Sequence, residues 1–247
     1  YLTCSMIIEE GLEIDVLRKV AGSMRAAADL SGVSIVTGDT KVVDKGACDK
    51  VFINTAGVGV IPKGTNIGAK QVRPGDKLLV NGVLGDHGAA ILNARGDMAL
   101  TSPVLSDCKP LYGLIEKLLA AAPGTSSIRD ATRGGLASAV NEIADAAGLG
   151  VTLIEDAIPL RKEVRGFCEI LGLDPLYLAN EGTLVAFVPA EQADEALAAM
   201  QSLDAGKEAA IIGEAVEGHS GRVIMQSSFG GKRIVDMLVG DQLPRIC

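Results

Sequence analysis

A mixed α/β (α+β) fold in two domains is what this sequence predicts, on three observations. Segments whose apolar residues recur every three or four positions alternate with short runs rich in β-branched residues, the pattern of helices interleaved with strands. A stretch dense in glycine from Gly57 to Asp76, carrying Pro62 and Pro74, breaks the periodic pattern on both sides. With 247 residues, 48% of them hydrophobic, the chain can bury one large core or two modest ones. The boundary is placed near residue 61, giving a first domain over 1–61, a second over 62–239 and a tail over 240–247.

The elements follow in order. Leu2 to Ile8 reads as a strand. From Glu9 to Leu30 the residues Leu12, Val16, Leu17, Val20, Met24 and Ala28 fall on one helical face, and Gly32 stops the helix. Val33 to Val36 and Val51 to Ala56 read as strands, separated by the polar stretch Gly38-Asp39-Thr40-Lys41 and by Asp44-Lys45-Gly46. Beyond the break, Lys77 to Val83 is a strand, punctuated by Gly85-Asp86-His87-Gly88 before a helix of small residues from Ala89. Thr132 to Ala147 is a helix with Leu136, Val140 and Ile143 on one face, and Asp130 or Thr132 is placed to cap it. Strand Val151 to Ile154, helix Lys162 to Leu171, strand Thr183 to Val188, an Ala-rich helix near Glu191 to Leu203, and strands Ala210 to Val216 and Arg222 to Gln226 complete the alternation.

Charge and cysteine usage narrow the function. The formal net charge is −8, and no cluster of Lys and Arg offers the surface that phosphate neutralisation needs, so a nucleic-acid partner is not expected. Five cysteines, Cys4, Cys48, Cys108, Cys168 and Cys247, are widely spaced with no CxxC pair, which points to a reducing compartment and away from a structural zinc site. The first four fall in or beside regular segments and are expected to be inert packing. No apolar run reaches the roughly 18 residues that span a bilayer, so no membrane partner is expected and the cytoplasm is the expected compartment. Tyr1 is not a methionine and a strand begins at once, so the natural start is expected upstream.

Chemistry concentrates at a few places. The chain ends Leu243-Pro244-Arg245-Ile246-Cys247, and Pro244 holds this run extended, so a thiol is carried on a tether. Four polar constellations interrupt the periodic segments: Gly38-Asp39-Thr40-Lys41, Gly85-Asp86-His87-Gly88, Arg129-Asp130-Ala131-Thr132-Arg133-Gly134-Gly135 and Asn180-Glu181-Gly182-Thr183. Each also reads as an ordinary turn. The third offers a metal carboxylate beside the free N–H groups of a helix start, a pairing suited to phosphate. None has the glycine spacing of a P-loop or a dinucleotide fingerprint.

Taken together in this order, Gly-Asp-Thr-Lys-Val-Val-Asp-Lys-Gly at 38 to 46, Gly-Asp-His-Gly, Arg-Asp-Ala-Thr-Arg-Gly-Gly-Leu, Asn-Glu-Gly and the terminal Pro-Arg-Ile-Cys resemble the HypE family of hydrogenase maturation factors over essentially the whole chain. The resemblance implies a PurM-like fold in two α/β domains, the first partial here because such proteins carry a further N-terminal stretch. It implies ATP in a groove lined by both domains, Mg2+, and a homodimer in the full-length protein. It also implies that a HypF-like carbamoyltransferase loads a carboxamide on Cys247, that ATP drives its dehydration to a thiocyanate, and that the cyano group passes to a HypC–HypD scaffold for the hydrogenase iron. Mapped by motif, Lys41 stabilises charge on the carboxamide oxygen or γ-phosphate, Glu181 takes the amide proton, and Asp130 and, more weakly, Asp39 hold the metal. Asp39, Thr40, Asp130 and Thr132 contact the nucleotide. His87 is read as a satisfied loop histidine. The alternative is a thiol carrier and docking module that does no chemistry. A selenophosphate or purine-pathway synthetase fits less well, because neither needs a terminal cysteine.

Overall fold

The computed structural model of the chain describes residues 1–96 and 103–240, so Cys247 and the rest of the expected tail beyond Gly240 lie outside the described residues. Packing divides the chain into two units, Tyr1–Thr65 and Asn66–Cys247.

The first unit holds strands β1 (Leu2–Glu9), β2 (Ile35–Val43) and β3 (Val51–Gly57) and helix α1 (Ile14–Ser31). The strand order is β2-β1-β3, with β1 parallel to β2 and antiparallel to β3. Helix α1 begins at Ile14 and not at Glu9, because Glu9 belongs to the sheet. Its N–H donates to the Lys50 carbonyl at 2.8 Å, and its carboxylate accepts the N–H groups of Gly46 and Lys50. Those backbone bonds, Gly46 first, hold the Glu9 carboxyl below its ordinary value. Gly32 ends α1 in the left-handed conformation at φ 67°.

Strand β2 departs most from expectation, since it runs straight through Gly38-Asp39-Thr40-Lys41 where a break was expected. A Cβ added at Gly38 would lie 1.9 Å from the Cys4 carbonyl oxygen, so the glycine serves close approach of two strands and not a turn.

The second unit is built on a seven-stranded sheet of β4 (Lys77–Val80), β5 (Ser127–Asp130), β6 (Gly150–Ile154), β7 (Leu184–Val188), β8 (Ala210–Val216), β9 (Val223–Gln226) and β10 (Lys232–Val235), ordered β10-β9-β6-β8-β4-β7-β5. Only β6 and β9 pair in parallel. The helices are α2 (Asp86–Arg95), α3 (Tyr112–Ala121), α4 (Gly135–Ala147), α5 (Lys162–Leu171) and α6 (Ala193–Gln201).

Both sheet faces are covered, and the two-residue period of the central strands shows it. Leu78, Val80, Val185 and Phe187 face a core completed by Leu136, Val140 and Ile143 of α4. Leu79, Leu184, Ala186 and Val188 face a second core, with Leu114 and Leu118 of α3 and Ala196 and Met200 of α6. A third cluster joins Leu92 of α2 to Val164, Phe167 and Cys168 of α5. Helix α3, the four-residue β5 and the edge strand β10 were not expected. The two strands are only four residues each, too short for a two-residue period to stand out, whereas α3 does supply Leu114 and Leu118 to the core. Among the described residues no helix is long and apolar enough to cross a membrane.

The thiols divide where uniform packing was expected. Cys4 and Cys168 are buried, Cys48 is half-buried, and Cys108, in the irregular segment before α3, is exposed. Burial pushes the Cys168 thiol up to about 11 from an ordinary 9.0.

Two outcomes follow from this packing. Phe187, fully buried on β7, should cost about 3–5 kcal/mol when replaced by Ala, read by urea unfolding. In the native protein a maleimide should label Cys108 and spare Cys168. Because burial raises the Cys168 value, its contribution to stability should be complete below pH 9.0 and be lost as pH rises through about 11.

Candidate active site

Three of the polar motifs meet in the second unit, and one side chain ties them together. Asn180 is completely buried at the loop before β7. Its Oδ1 accepts the Gly85 N–H at 2.8 Å, and its Nδ2 donates to the carbonyls of Ala131 at 2.8 Å and Leu178 at 3.0 Å. The Gly-Asp-His-Gly, Asp-Ala-Thr and Asn-Glu-Gly loops are thus hydrogen-bonded through a single amide. Asn81, at the end of β4, supports the same region by donating to the carbonyls of Gly182 and Ala205 and accepting the Leu184 N–H.

Asp130 and Thr132 stand where β5 turns into α4. The Thr132 hydroxyl donates to the Asp130 carboxylate at 2.6 Å, and neither side chain caps the helix as expected. The helix starts three residues later, at Gly135, and its N-cap is Gly134, with no side-chain cap. Both glycines have left-handed φ, 71° and 61°, and a Cβ at Gly135 would come within 2.6 Å of the carbonyls of Leu176 and Leu178. The paired glycines therefore bring the α4 N-terminus against the chain at 176–178 without a side chain in the way. The helix start carries no side-chain cap, and residues 134–138 are buried. Arg129 pairs with Glu142 at 2.7 Å.

Glu181 is half-buried, and among the described residues of its unit no hydrogen bond or ion pair reaches its carboxylate. Its backbone is held by a residue that nothing in the sequence singled out. The Asp107 carboxylate accepts the N–H groups of Glu181 and Gly182, each at 2.9 Å, and the Thr183 hydroxyl at 2.9 Å. Asp86 of the Gly-Asp-His-Gly motif is buried and paired to Arg161 at 2.9 Å. Burial pushes its carboxyl up, against the pull of Arg161. His87 Nδ1 lies 2.9 Å from the Ser106 hydroxyl.

Asp39, Thr40 and Lys41 lie side by side on β2 of the first unit, all exposed. The pleat puts Asp39 and Lys41 on one face, in register with Ser5 and Ile7, and Thr40 on the other, in register with Met6. The Asp39 carboxylate accepts the Thr40 N–H at 2.8 Å.

Among the described residues no three His, Cys, Asp or Glu side chains converge into a closed metal cage. Magnesium does not require one, since it binds through one or two carboxylates and completes its shell with water and substrate phosphate. The exposed carboxylates of Asp130, beside a hydroxyl, and of Asp39 are hard oxygen donors that fit such an ion.

Comparison with known proteins shows what the chain is similar to. Residues 1–61 match the N-terminal domain of AIR synthase related proteins and residues 73–226 the C-terminal domain. Carbamoyl dehydratase HypE of Rhodobacter capsulatus is 60% identical over 247 residues, which is 100% of this chain and 73% of that protein. A crystal structure of hydrogenase maturation protein HypE in complex with ATP aligns with a TM-score of 0.94 and 45% identity, over 100% of this chain and 75% of that one. HypE in a crystal structure of the HypE–HypF complex aligns at 0.91 and 44%, over 96% and 77%.

Replacing Asn180 by Ala should strand a buried N–H and two carbonyls. An unfolding measurement should show a loss of about 3 kcal/mol or more, since each stranded group costs about 1–3 kcal/mol.

Proposed function

The chain belongs to the HypE family of AIR synthase related proteins, and on that premise we propose that it is an ATP-dependent carbamoyl dehydratase of hydrogenase maturation, converting an S-carboxamide on Cys247 to an S-cyanate. The observation that carries the proposal is the 60% identity with a carbamoyl dehydratase over the whole length of the chain. The PurM-like fold, and the ATP bound by a relative of the same fold, support the nucleotide dependence.

The chemical obstacle is a poor leaving group. The amide oxygen attacks the γ-phosphorus of ATP, ADP departs, and an N–H proton is lost, leaving an O-phosphorylated S-imidate. Loss of the second N–H proton then expels phosphate and forms the C≡N bond. Glu181 is the base for these protons, its carboxylate having no partner among the described residues of its unit to compete for it. Lys41 supplies positive charge for the oxygen and the γ-phosphate. Thr132 and Thr40 bind phosphate oxygens, and Asp130 and Asp39 hold magnesium, which neutralises phosphate charge when bound.

In this reading residues 1–61 are a nucleotide-binding and dimerising domain, 62–239 the second domain and 240–247 the segment that carries Cys247. Ile7 and Phe52, cross-strand neighbours 40% and 52% exposed, lie on the Lys41 face of the first sheet and favour pairing with a second copy. The HypF complex of a relative supports a HypF-like carbamoyltransferase as donor of the carboxamide. A HypC–HypD complex receives the cyano group, and the cytoplasm is where these partners meet.

The full-length protein, carbamoylated at Cys247 and given ATP and magnesium, should lose the mass of one water at that residue by intact-protein mass spectrometry. Lys41→Ala and Glu181→Gln should each slow this loss by about 10²–10⁴-fold. A wild-type protein that keeps the carboxamide yet still delivers it to partners is a carrier, and the enzymatic reading then fails.

A further inference from the structure

We propose that Asp107 is a positioning residue for Glu181, an inference that rests on Glu181 being the base. The carboxylate of Asp107 is an internal anion seated in a nest. Two successive N–H groups and the next hydroxyl, from Glu181, Gly182 and Thr183, all point at it at 2.9 Å. Bonds to an ionised acceptor are the strong kind, and three on consecutive residues fix the dihedral angles on both sides of the Glu181 Cα. Asn180, immediately before, is fixed by its own buried amide. The Glu181 side chain therefore leaves a backbone held from both ends, while its carboxylate has no partner among the described residues of the unit.

Gly182 shows how close the two segments come. A Cβ there would lie 1.9 Å from the Asp107 carbonyl oxygen and 2.8 Å from Cγ of Lys109, so only glycine lets the 107 segment close on the Asn-Glu-Gly loop. The glycine of that motif is explained by Asp107, more than 70 residues earlier in the chain. Replacing one carboxylate oxygen by an amide NH2 sets a donor against a donor and leaves one of the two N–H groups without an acceptor, so the loop must turn to find another. A displacement of about 1 Å at a reacting group is enough to cost about 100-fold in rate.

A double-mutant cycle on the carbamoylated full-length protein tests this, with single-turnover water loss as the readout and ATP binding measured beside it. Asp107→Asn keeps the side-chain shape and should slow water loss by about 100-fold with ATP affinity unchanged, while Asp107→Glu should recover part of the rate. In a Glu181→Gln background, Asp107→Asn should cause no further fall, because it acts through a base already removed. A wild-type rate for Asp107→Asn, or the same loss in both backgrounds, overturns the positioning role and leaves the enzymatic reading standing. A wild-type rate for Glu181→Gln overturns both. If Asp107→Asn does not fold, Thr183→Val removes one of the three bonds and is read through the same cycle.

Discussion

The second unit depends on the burial of one amide. Asn180 has no exposed surface, and its three hydrogen bonds connect three loops that lie far apart in sequence. Polar groups withdrawn from water must find partners or carry a cost, and here each loop is the partner of the next through the same side chain. None of the loops has regular secondary structure across its contact, so their mutual placement is set by this amide, by Asn81 and by the sheet below. Asn180 joins loops by geometry, and the chemistry proposed for Glu181 uses the stiffness that results.

The sheet supplies the platform. Strands β4 and β7 are apolar on both faces because helices cover both, so their side chains alternate between two cores and neither strand can slide by one residue without exchanging them. Asp130 ends β5 and Glu181 lies in the loop before β7, and the two strands are neighbours in that sheet. Two motifs separated by about fifty positions thereby arrive at one end of adjacent strands. The first unit is different in character: α1 and three strands leave many apolar side chains exposed, among them Val36, Val42 and Ile53.

Much of this was legible beforehand, and the exceptions have physical causes. Long periodic segments such as α1, α4 and α5 declared themselves because apolar spacing repeats over several turns. Gly38-Asp39-Thr40-Lys41 misled, since glycine, aspartate and threonine mark turns in most contexts, and only the neighbouring Cys4 carbonyl reveals that the glycine serves a close strand contact. Thr132 looked like a cap because a hydroxyl at an expected helix start commonly is one, yet it donates its proton to Asp130, and the helix starts three residues later. The Asn-Glu-Gly triplet stood out as a motif, but the partner that holds it, Asp107, lies in an aperiodic segment where a lone aspartate carries no signal. Contacts between distant loops are not written in local spacing.

The pleat of β2 has a consequence for how this region can vary. Asp39 and Lys41 share a face only because a single residue separates them, and Thr40 faces the other way for the same reason. Deleting or inserting one position between Ile35 and Asp39 would hand both charges to the opposite side and leave a hydroxyl in their place, although the composition would scarcely change. This segment can thus accept replacement of one side chain by another far more readily than any alteration in its length.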